Sequence, residues 1–390
     1  MTGHTSTLVL WLALAFSFGT AHAETPASAR ETDVTRTARA FYAALTCEAG
    51  QGVGALEALE VEDHAEHCAR LEDYRTKNRA AFLDPAMPWV ARHRPPGLPS
   101  TLLYPFAGAD LLTSLAVHPD GERFVHLTLD DGGPPDAFAR LDPSRRKRAL
   151  RTLMDDAARW LLITGYNSTD SLRRAQREVL AGVLPTTLLG LAMHGGRLIE
   201  LRYFEVLPDG ALRYLSDEEL VRGTPTLSRR HVHRSFELRF ALPDGKERVL
   251  QHVRANLHDR WMGGQEGAGV LAFAKALGPV VFLTKANEYN LWRRDFSVIR
   301  DVALEQGRWM ISDSSGVPTR YLGGTPWRLE VYGIFLCDKA DIRKKNKEIQ
   351  RVDAEMVRHF AEHSKGPLGF RFGYGDCRGH PHLMMHFRDE

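Results

Sequence analysis

Ser235-Phe-Glu-Leu-Arg-Phe-Ala-Leu242, then Pro243-Asp-Gly245, then Glu247-Arg-Val-Leu-Gln-His-Val-Arg254, is the stretch whose reading decides the fold. Apolar and polar residues alternate on both sides of the Pro-Asp-Gly, the period of a strand with one buried and one wet face. Asp-Gly suits the positive φ of a tight hairpin, so the two runs read as antiparallel partners. The same tripeptide recurs at Pro119-Asp-Gly121 and Pro208-Asp-Gly210 between further β-like runs. A mostly antiparallel sheet is expected.

Helical spacing appears around that sheet. Val34, Ala38, Phe41, Tyr42 and Leu45 predict one amphipathic helix, and a second stretch runs from Gly54 to Arg75 before the break at Arg94-Pro-Pro-Gly-Leu-Pro99. Ser144 to Thr164 aligns Leu150, Leu153, Met154, Ala157 and Leu161 on one face. Glu288 to Glu305 does so with Leu291, Trp292, Phe296 and Ile299, and Asp338 to His363 is long and charged. Strands and grouped helices without clean βαβ alternation define an α+β fold: mostly antiparallel sheet with packed helices, preceded by an N-terminal helical segment. The expected division is 1–23 signal peptide, 24–99 N-terminal helical segment and linker, and 100–390 α+β region with room for two subdomains.

The signal peptide rests on the apolar run Leu8 to Phe18 and on Ala21-His-Ala23, which has the small-x-small form of a cleavage site. Met1 to Thr7 holds no Lys or Arg, which leaves an uncleaved anchor as the alternative. A periplasmic or secreted protein is expected, with no transmembrane segment in the mature chain. Its formal charge of +2 over 390 residues gives no global attraction to nucleic acid, and a nucleic-acid partner is not expected. Four cysteines in an exported chain favour disulfides, with Cys47–Cys68 and Cys337–Cys377 the sequence-local pairing.

Six segments carry candidate chemistry. In Gly379-His-Pro-His-Leu-Met-Met-His-Phe387, strand periodicity would align His380, His382, Met384 and His386, a ligand set suited to copper. In His64-Ala-Glu-His-Cys68, His64, His67 and Cys68 with Cys47 would make a zinc set, in competition with a disulfide. Ser312-Asp-Ser-Ser-Gly-Val-Pro318 offers Ser314 or Ser315 as nucleophile and Asp313 as carboxylate partner, though without the G-x-S-x-G elbow. Lys285, Glu288 and Tyr289 fall within about one helical turn and would serve acid–base work if buried. Asp110, closing Tyr104-Pro-Phe-Ala-Gly-Ala-Asp110, reads first as a helix cap and second as a cleft acid. Arg145-Arg-Lys-Arg148 reads first as a solvated helix face and second as a site for an anionic surface. Neither G-x-G-x-x-G nor G-x-x-x-x-G-K-[ST] occurs, and no motif names a cofactor.

The Tyr104–Asp110 segment (Y-x-F-x-G-x-D), Asp313-Ser-Ser-Gly-Val-Pro318 (D-S-S-G-x-P) and Pro367-Leu-Gly-Phe-Arg-Phe-Gly-Tyr374 together resemble a group of uncharacterised exported bacterial proteins. The resemblance implies no activity or cofactor. It implies that the Asp110 and Asp313 loops belong to one structural feature. The resulting expectation is ligand or partner binding in a cleft bordered by Tyr104–Asp110 and Asp313–Pro318. The alternatives are a serine-dependent hydrolase and a periplasmic metal-binding protein.

Overall fold

The structure, a computed structural model, describes residues 32–47, 61–157, 180–335, 347–373 and 380–388. The expected signal peptide, Leu161, Cys337 and Cys377 lie outside these residues. Thr32–Glu390 gathers into one compact unit. Among the described residues, no helix is long and apolar enough to cross a membrane.

Helix α1 (Asp33–Thr46) begins where the Thr32 side chain accepts a hydrogen bond from the Thr35 amide, and it ends at Cys47 with φ 62°. Its predicted stripe of Ala38, Phe41, Tyr42 and Leu45 is buried, each large member worth about 1.5–3 kcal/mol of transfer free energy. α2 (Val61–Asn78) runs through a π-helical turn (Arg79–Leu83) into α3 (Asp84–His93). A disulfide joins Cys47 at the end of α1 to Cys68 on α2.

A ten-stranded sheet follows, built from β1 (Thr101–Pro105), β2 (Arg123–Thr128), β3 (Arg197–Val206), β4 (Leu212–Tyr214), β5 (Ser235–Ala241), β6 (Glu247–Arg254), β7 (Val280–Thr284), β8 (Gly307–Ser312), β9 (Trp327–Gly333) and β10 (His382–Arg388). Its order is β4-β3-β5-β6-β2-β1-β7-β8-β10-β9. Five of the nine pairings are antiparallel, which makes the fold the expected α+β type. The four parallel pairings are contiguous and join β6, β2, β1, β7 and β8 at the centre. β1 connects to β2 on one side through α4 (Leu111–Val117), whereas β7, on its other side, leads through α5 (Ser297–Gln306) to β8. The winding therefore reverses between β1 and β7. In open sheets of this kind the crevice outside the carboxyl ends at the reversal is where ligands bind.

Both faces of the central strands are covered. Leu102, Tyr104, Val281, Leu283, Trp309 and Ile311 face one core with α1 and α4, while Leu103, Phe282, Met310 and Val253 face a second with α5. On β5 and β6 the expected alternation holds, with a polar face that buries Glu237 and Gln251 but leaves Arg239 half-exposed and Glu247 exposed. There Phe236, Leu238 and Phe240 enter the first core, and the opposite row is a polar network in which buried Glu237 accepts hydrogen bonds from Tyr214 and Gln251 and pairs with Arg202. A third, smaller core gathers Tyr289, Trp292, Phe335 and Met384 under α6 (Lys347–His363), inside the long charged helix expected from Asp338.

Two of the three Pro-Asp-Gly turns are the expected hairpins, at β3–β4 and β5–β6, with Gly210 at φ 87° and Gly245 at φ 77°. Pro119–Gly121 instead links α4 to β2, because the run before it is a helix. The helix expected from Glu288 begins only at Ser297, after two 3-10 turns at Asn290–Trp292 and Arg294–Phe296. Ahead of them the chain takes positive φ at Ala286, Glu288 and Tyr289, so Lys285, Glu288 and Tyr289 share no helical turn.

Candidate functional site

The carboxyl ends of β1, β7 and β8 deliver three loops to one place, and those loops carry most of the chemistry expected from the sequence. Leaving β1, the chain passes Phe106 at φ 63° and reaches Asp110, which caps α4 by accepting the Thr113 amide at 3.1 Å. The other carboxylate oxygen of Asp110 accepts from Tyr104 Oη at 3.2 Å and meets Lys285 Nζ, just past β7, at 2.8 Å. Lys285 also donates to Thr113 Oγ1 at 2.8 Å. Asp110 is thus both the expected cap and half of a buried ion pair at the winding reversal.

Burial alone would raise the Asp110 pKa, but the Lys285 charge and the hydrogen bonds from Lys285 and Thr113 outweigh it and hold the carboxyl below the usual range. Burial, with the nearby Asp110 and Asp313 charges, pushes the Tyr104 phenol well above its ordinary value. Tyr104 therefore acts as a fixed hydrogen-bond donor rather than a proton carrier.

Asp313, at the end of β8, accepts from the Ala286 amide at 2.9 Å through one oxygen and from the Ser315 amide at 2.9 Å and the Ser315 hydroxyl at 2.5 Å through the other. Asn287 closes the loop by donating to Thr284 Oγ1 and to the Ser315 carbonyl. These bonds hold Ala286 in its left-handed conformation, a cost of the order of 1 kcal/mol or more that is sustained only where surroundings over-determine the backbone. Gly373 packs directly on Asp313: a Cβ there would lie 2.2 Å from Oδ2, at a φ of 70°.

Ser314 points elsewhere. Its hydroxyl lies 3.1 Å from His382 Nε2 on β10 and 3.2 Å from Tyr289 Oη, and its carbonyl accepts from Trp292 Nε1 at 3.2 Å. His382 Nδ1 faces the His380 carbonyl at 3.2 Å, which places the ring proton on Nδ1 and leaves Nε2 to accept from Ser314. The expected Asp313–Ser314 partnership is therefore replaced by Asp313–Ser315 and His382–Ser314. Sequence reading missed that second pair because His382 and Ser314 are 68 residues apart and His382 read as a metal ligand.

The C-terminal row does place His382, Met384 and His386 on one face, but its side chains are separately engaged. His386 Nε2 lies 3.0 Å from the Val317 carbonyl, Met384 belongs to the third core, and His380 precedes the strand. Among the described residues, the group of three His, Cys, Asp or Glu ligands that converges is Cys47, His64 and Cys68, whose sulfurs form the disulfide. His67 takes no part, its ring bonding to the Leu45 carbonyl at 2.9 Å. Of the basic cluster, Arg145 pairs with Asp142, Lys147 with Glu66, and Arg146 lies over the Phe138 ring.

The Tyr104–Asp110 and Asp313–Pro318 loops meet, yet the side chains between them are packed: Asp110, Lys285, Asp313, Ser314 and Ser315 are all less than a tenth exposed. Open volume lies one strand away, where a cavity of about 660 Å³ adjoins the carboxyl ends of β2 and β6. Leu129, Asp130, Asp131 and Arg254 line it from the sheet, Val34 from α1, and Val221, Arg229 and Arg230 from the segment before β5. Asp131 is held by Arg234 at 3.5 Å and Arg254 at 3.6 Å. A larger hollow of about 910 Å³ sits at the opposite ends of the strands, around Pro95–Thr101 and Pro279. None of the candidate groups lines it and it lies at the amino ends of the parallel strands, so the smaller cavity has the better claim.

No family model, curated protein or solved structure matches this chain. Function is therefore argued from the site alone, since a fold shared by many activities selects none of them.

Proposed function

We propose that this chain is an exported small-molecule-binding protein whose ligand occupies the 660 Å³ cavity at the carboxyl ends of β2 and β6. The observation that carries this reading is the placement of that cavity, on the ligand-binding edge of a reversing parallel sheet and within the size range of small-molecule sites. Its lining describes the ligand class. Leu129 and Val221 are exposed apolar side chains at the cavity, Asp131 offers carboxylate oxygens to hydroxyl donors, and Arg229 and Arg230 make no ion pair among the described residues. A hydroxyl-bearing anion with an apolar face, such as a nucleoside or sugar monophosphate, satisfies all three. The N-terminus of α4, the other natural phosphate site, is taken by the chain's own Asp110 carboxylate, so a phosphate group is directed to the arginines.

Calorimetric titration with adenosine 5′-monophosphate, ribose 5-phosphate and adenosine tests the reading. The expected result is saturable binding of a phosphorylated probe that weakens at least tenfold in the double substitution Arg229→Glu/Arg230→Glu and disappears when Ala181→Trp fills the cavity. Binding untouched by either change, or no binding of any probe, counts against it.

A second reading is favoured by the 3.1 Å contact between Ser314 Oγ and His382 Nε2, with His382 oriented by a carbonyl. That is the nucleophile–base–orienter arrangement of covalent catalysis. Here Ser314 Oγ would attack an activated acyl or phosphonyl centre and form a serine ester as the bond to the leaving group breaks, its proton passing to His382 Nε2 and from there to the departing group. Labelling by a fluorophosphonate probe that is lost in Ser314→Ala and retained in Ser315→Ala supports it, and an unlabelled wild-type chain rejects it.

A further inference from the structure

The Cys47–Cys68 disulfide lies in a setting that a structural cross-link does not require. One ring nitrogen of His64 and the two sulfurs all fall within 4.8 Å of one another, and both ring nitrogens of His64 are 3.8 Å from the Cys68 sulfur. All three residues are partly exposed, so a reductant and an ion can reach them. With Zn–S near 2.3 Å and Zn–N near 2.0–2.1 Å, the ligand–ligand edges of a tetrahedral zinc site are about 3.5–3.8 Å. The His64–Cys68 separation already has that length.

We propose that the reduced chain holds a zinc ion at Cys47, Cys68 and His64, with water in the fourth position, so that a metal replaces the disulfide as the link between α1 and α2. A dithiol reductant takes the disulfide to two thiols and is itself oxidised to a disulfide, a balanced two-electron exchange. Zinc binding then releases both thiol protons to solvent and yields two zinc–thiolate bonds.

Local structure favours this use. His64 and Cys68 are four residues apart on α2 and share a face, so the helix sets their spacing before any metal arrives. Cys47 is fixed opposite them by the left-handed end of α1. Neighbouring His67 is committed to the Leu45 carbonyl, which anchors α2 against the end of α1 whichever link is present. Two thiolates and an imidazole suit zinc rather than magnesium or calcium, which take oxygen ligands.

The test uses the full chain carrying Cys337→Ser and Cys377→Ser, so that only two thiols remain. After reduction and anaerobic desalting, zinc is titrated against a chromophoric chelator, and cobalt is titrated in parallel for its thiolate charge-transfer absorption. One equivalent bound by the reduced chain, none by the oxidised chain, loss in Cys68→Ser and at least tenfold weakening in His64→Ala is the expected pattern. Equal affinity in His64→Ala, or zinc retained by Cys68→Ser, overturns the proposal. So does a reduced chain that loses helical circular dichroism and does not regain it when zinc is added.

Discussion

Replacing Lys285 by methionine removes a charge from the winding reversal while keeping most of the side-chain volume. Asp110 is only 4% exposed, and its remaining donors would be Tyr104 Oη, the Thr113 amide and the Thr113 hydroxyl. Stranding one member of a buried pair costs about 3–5 kcal/mol, because the leftover charge keeps its desolvation penalty without its partner. At about 2.1 cal/mol/K per residue, the 359 residues of Thr32–Glu390 imply a loss of roughly 1.3 °C per kcal/mol. Lys285→Met should therefore lower the melting temperature by about 4–7 °C at pH 7, read by circular dichroism. Adding Asp110→Asn should restore part of it, since removing both charges leaves nothing unpaired. In the wild type the Asp110 pKa is depressed, so its contribution is complete above the unfolded value of 3.8 and fades as pH falls through the lower folded value. In Lys285→Met burial acts without the Lys285 charge against it and moves that pKa upward, the carboxyl neutralises earlier, and the gap between the two proteins should narrow between pH 7 and pH 4.5. A gap under about 1 kcal/mol at pH 7, a gap unchanged by acid, or a double variant no better than the single one would be incompatible with a stabilising Asp110–Lys285 pair.

Gly373→Ala sets a Cβ against Asp313 in a left-handed backbone; a loss of about 1–3 kcal/mol in urea unfolding is expected, and a neutral result would mean that Asp313 is not packed as described. His126, His252 and His386 are buried, which depresses their pKa values to about 3, about 4 and about 4. Their contribution to stability is present above the unfolded value of 6.5 and is lost as pH falls from there towards 4, each adding a slope of about 1.4 kcal/mol per pH unit. The urea midpoint should fall steeply between pH 6.5 and 4.5, and less steeply in His386→Asn. Breaking the disulfide by Cys68→Ala in metal-free buffer frees a loop of sequence separation 21 and should cost about 3 kcal/mol by loop entropy; an unchanged midpoint would show that α1 and α2 stay together without it.

The antiparallel half of the fold was legible because its signals are local. Alternation around Pro243-Asp-Gly245 and Pro208-Asp-Gly210 specifies hairpins, and the spacing of Phe41, Tyr42 and Leu45 specifies α1. The parallel centre was not. β1 and β7 are five residues each and apolar on both faces, so no alternation marks them, and their neighbours lie far along the chain. Residues 285–289 were misread because the apolar spacing of Leu291, Trp292 and Phe296 continues smoothly through 3-10 turns into α5. The left-handed conformations of Ala286, Glu288 and Tyr289 carry no Gly or Asn to announce them. Asp110, Lys285, Tyr289 and Asp313 were each visible as candidates, but which of Ser314 and Ser315 faces Asp313 is a matter of loop geometry alone. The same holds for His382: strand periodicity assigns its face and says nothing of what stands opposite.

Hydrogen exchange by mass spectrometry with and without a saturating phosphorylated probe tests the placement of the binding site most directly. Slowed exchange is expected in Leu129–Asp136 and Arg229–His233, on either side of the 660 Å³ cavity, with Pro95–Thr101 unchanged. Protection at Pro95–Thr101 instead, or none in either cavity segment while the probe is bound, would contradict that placement.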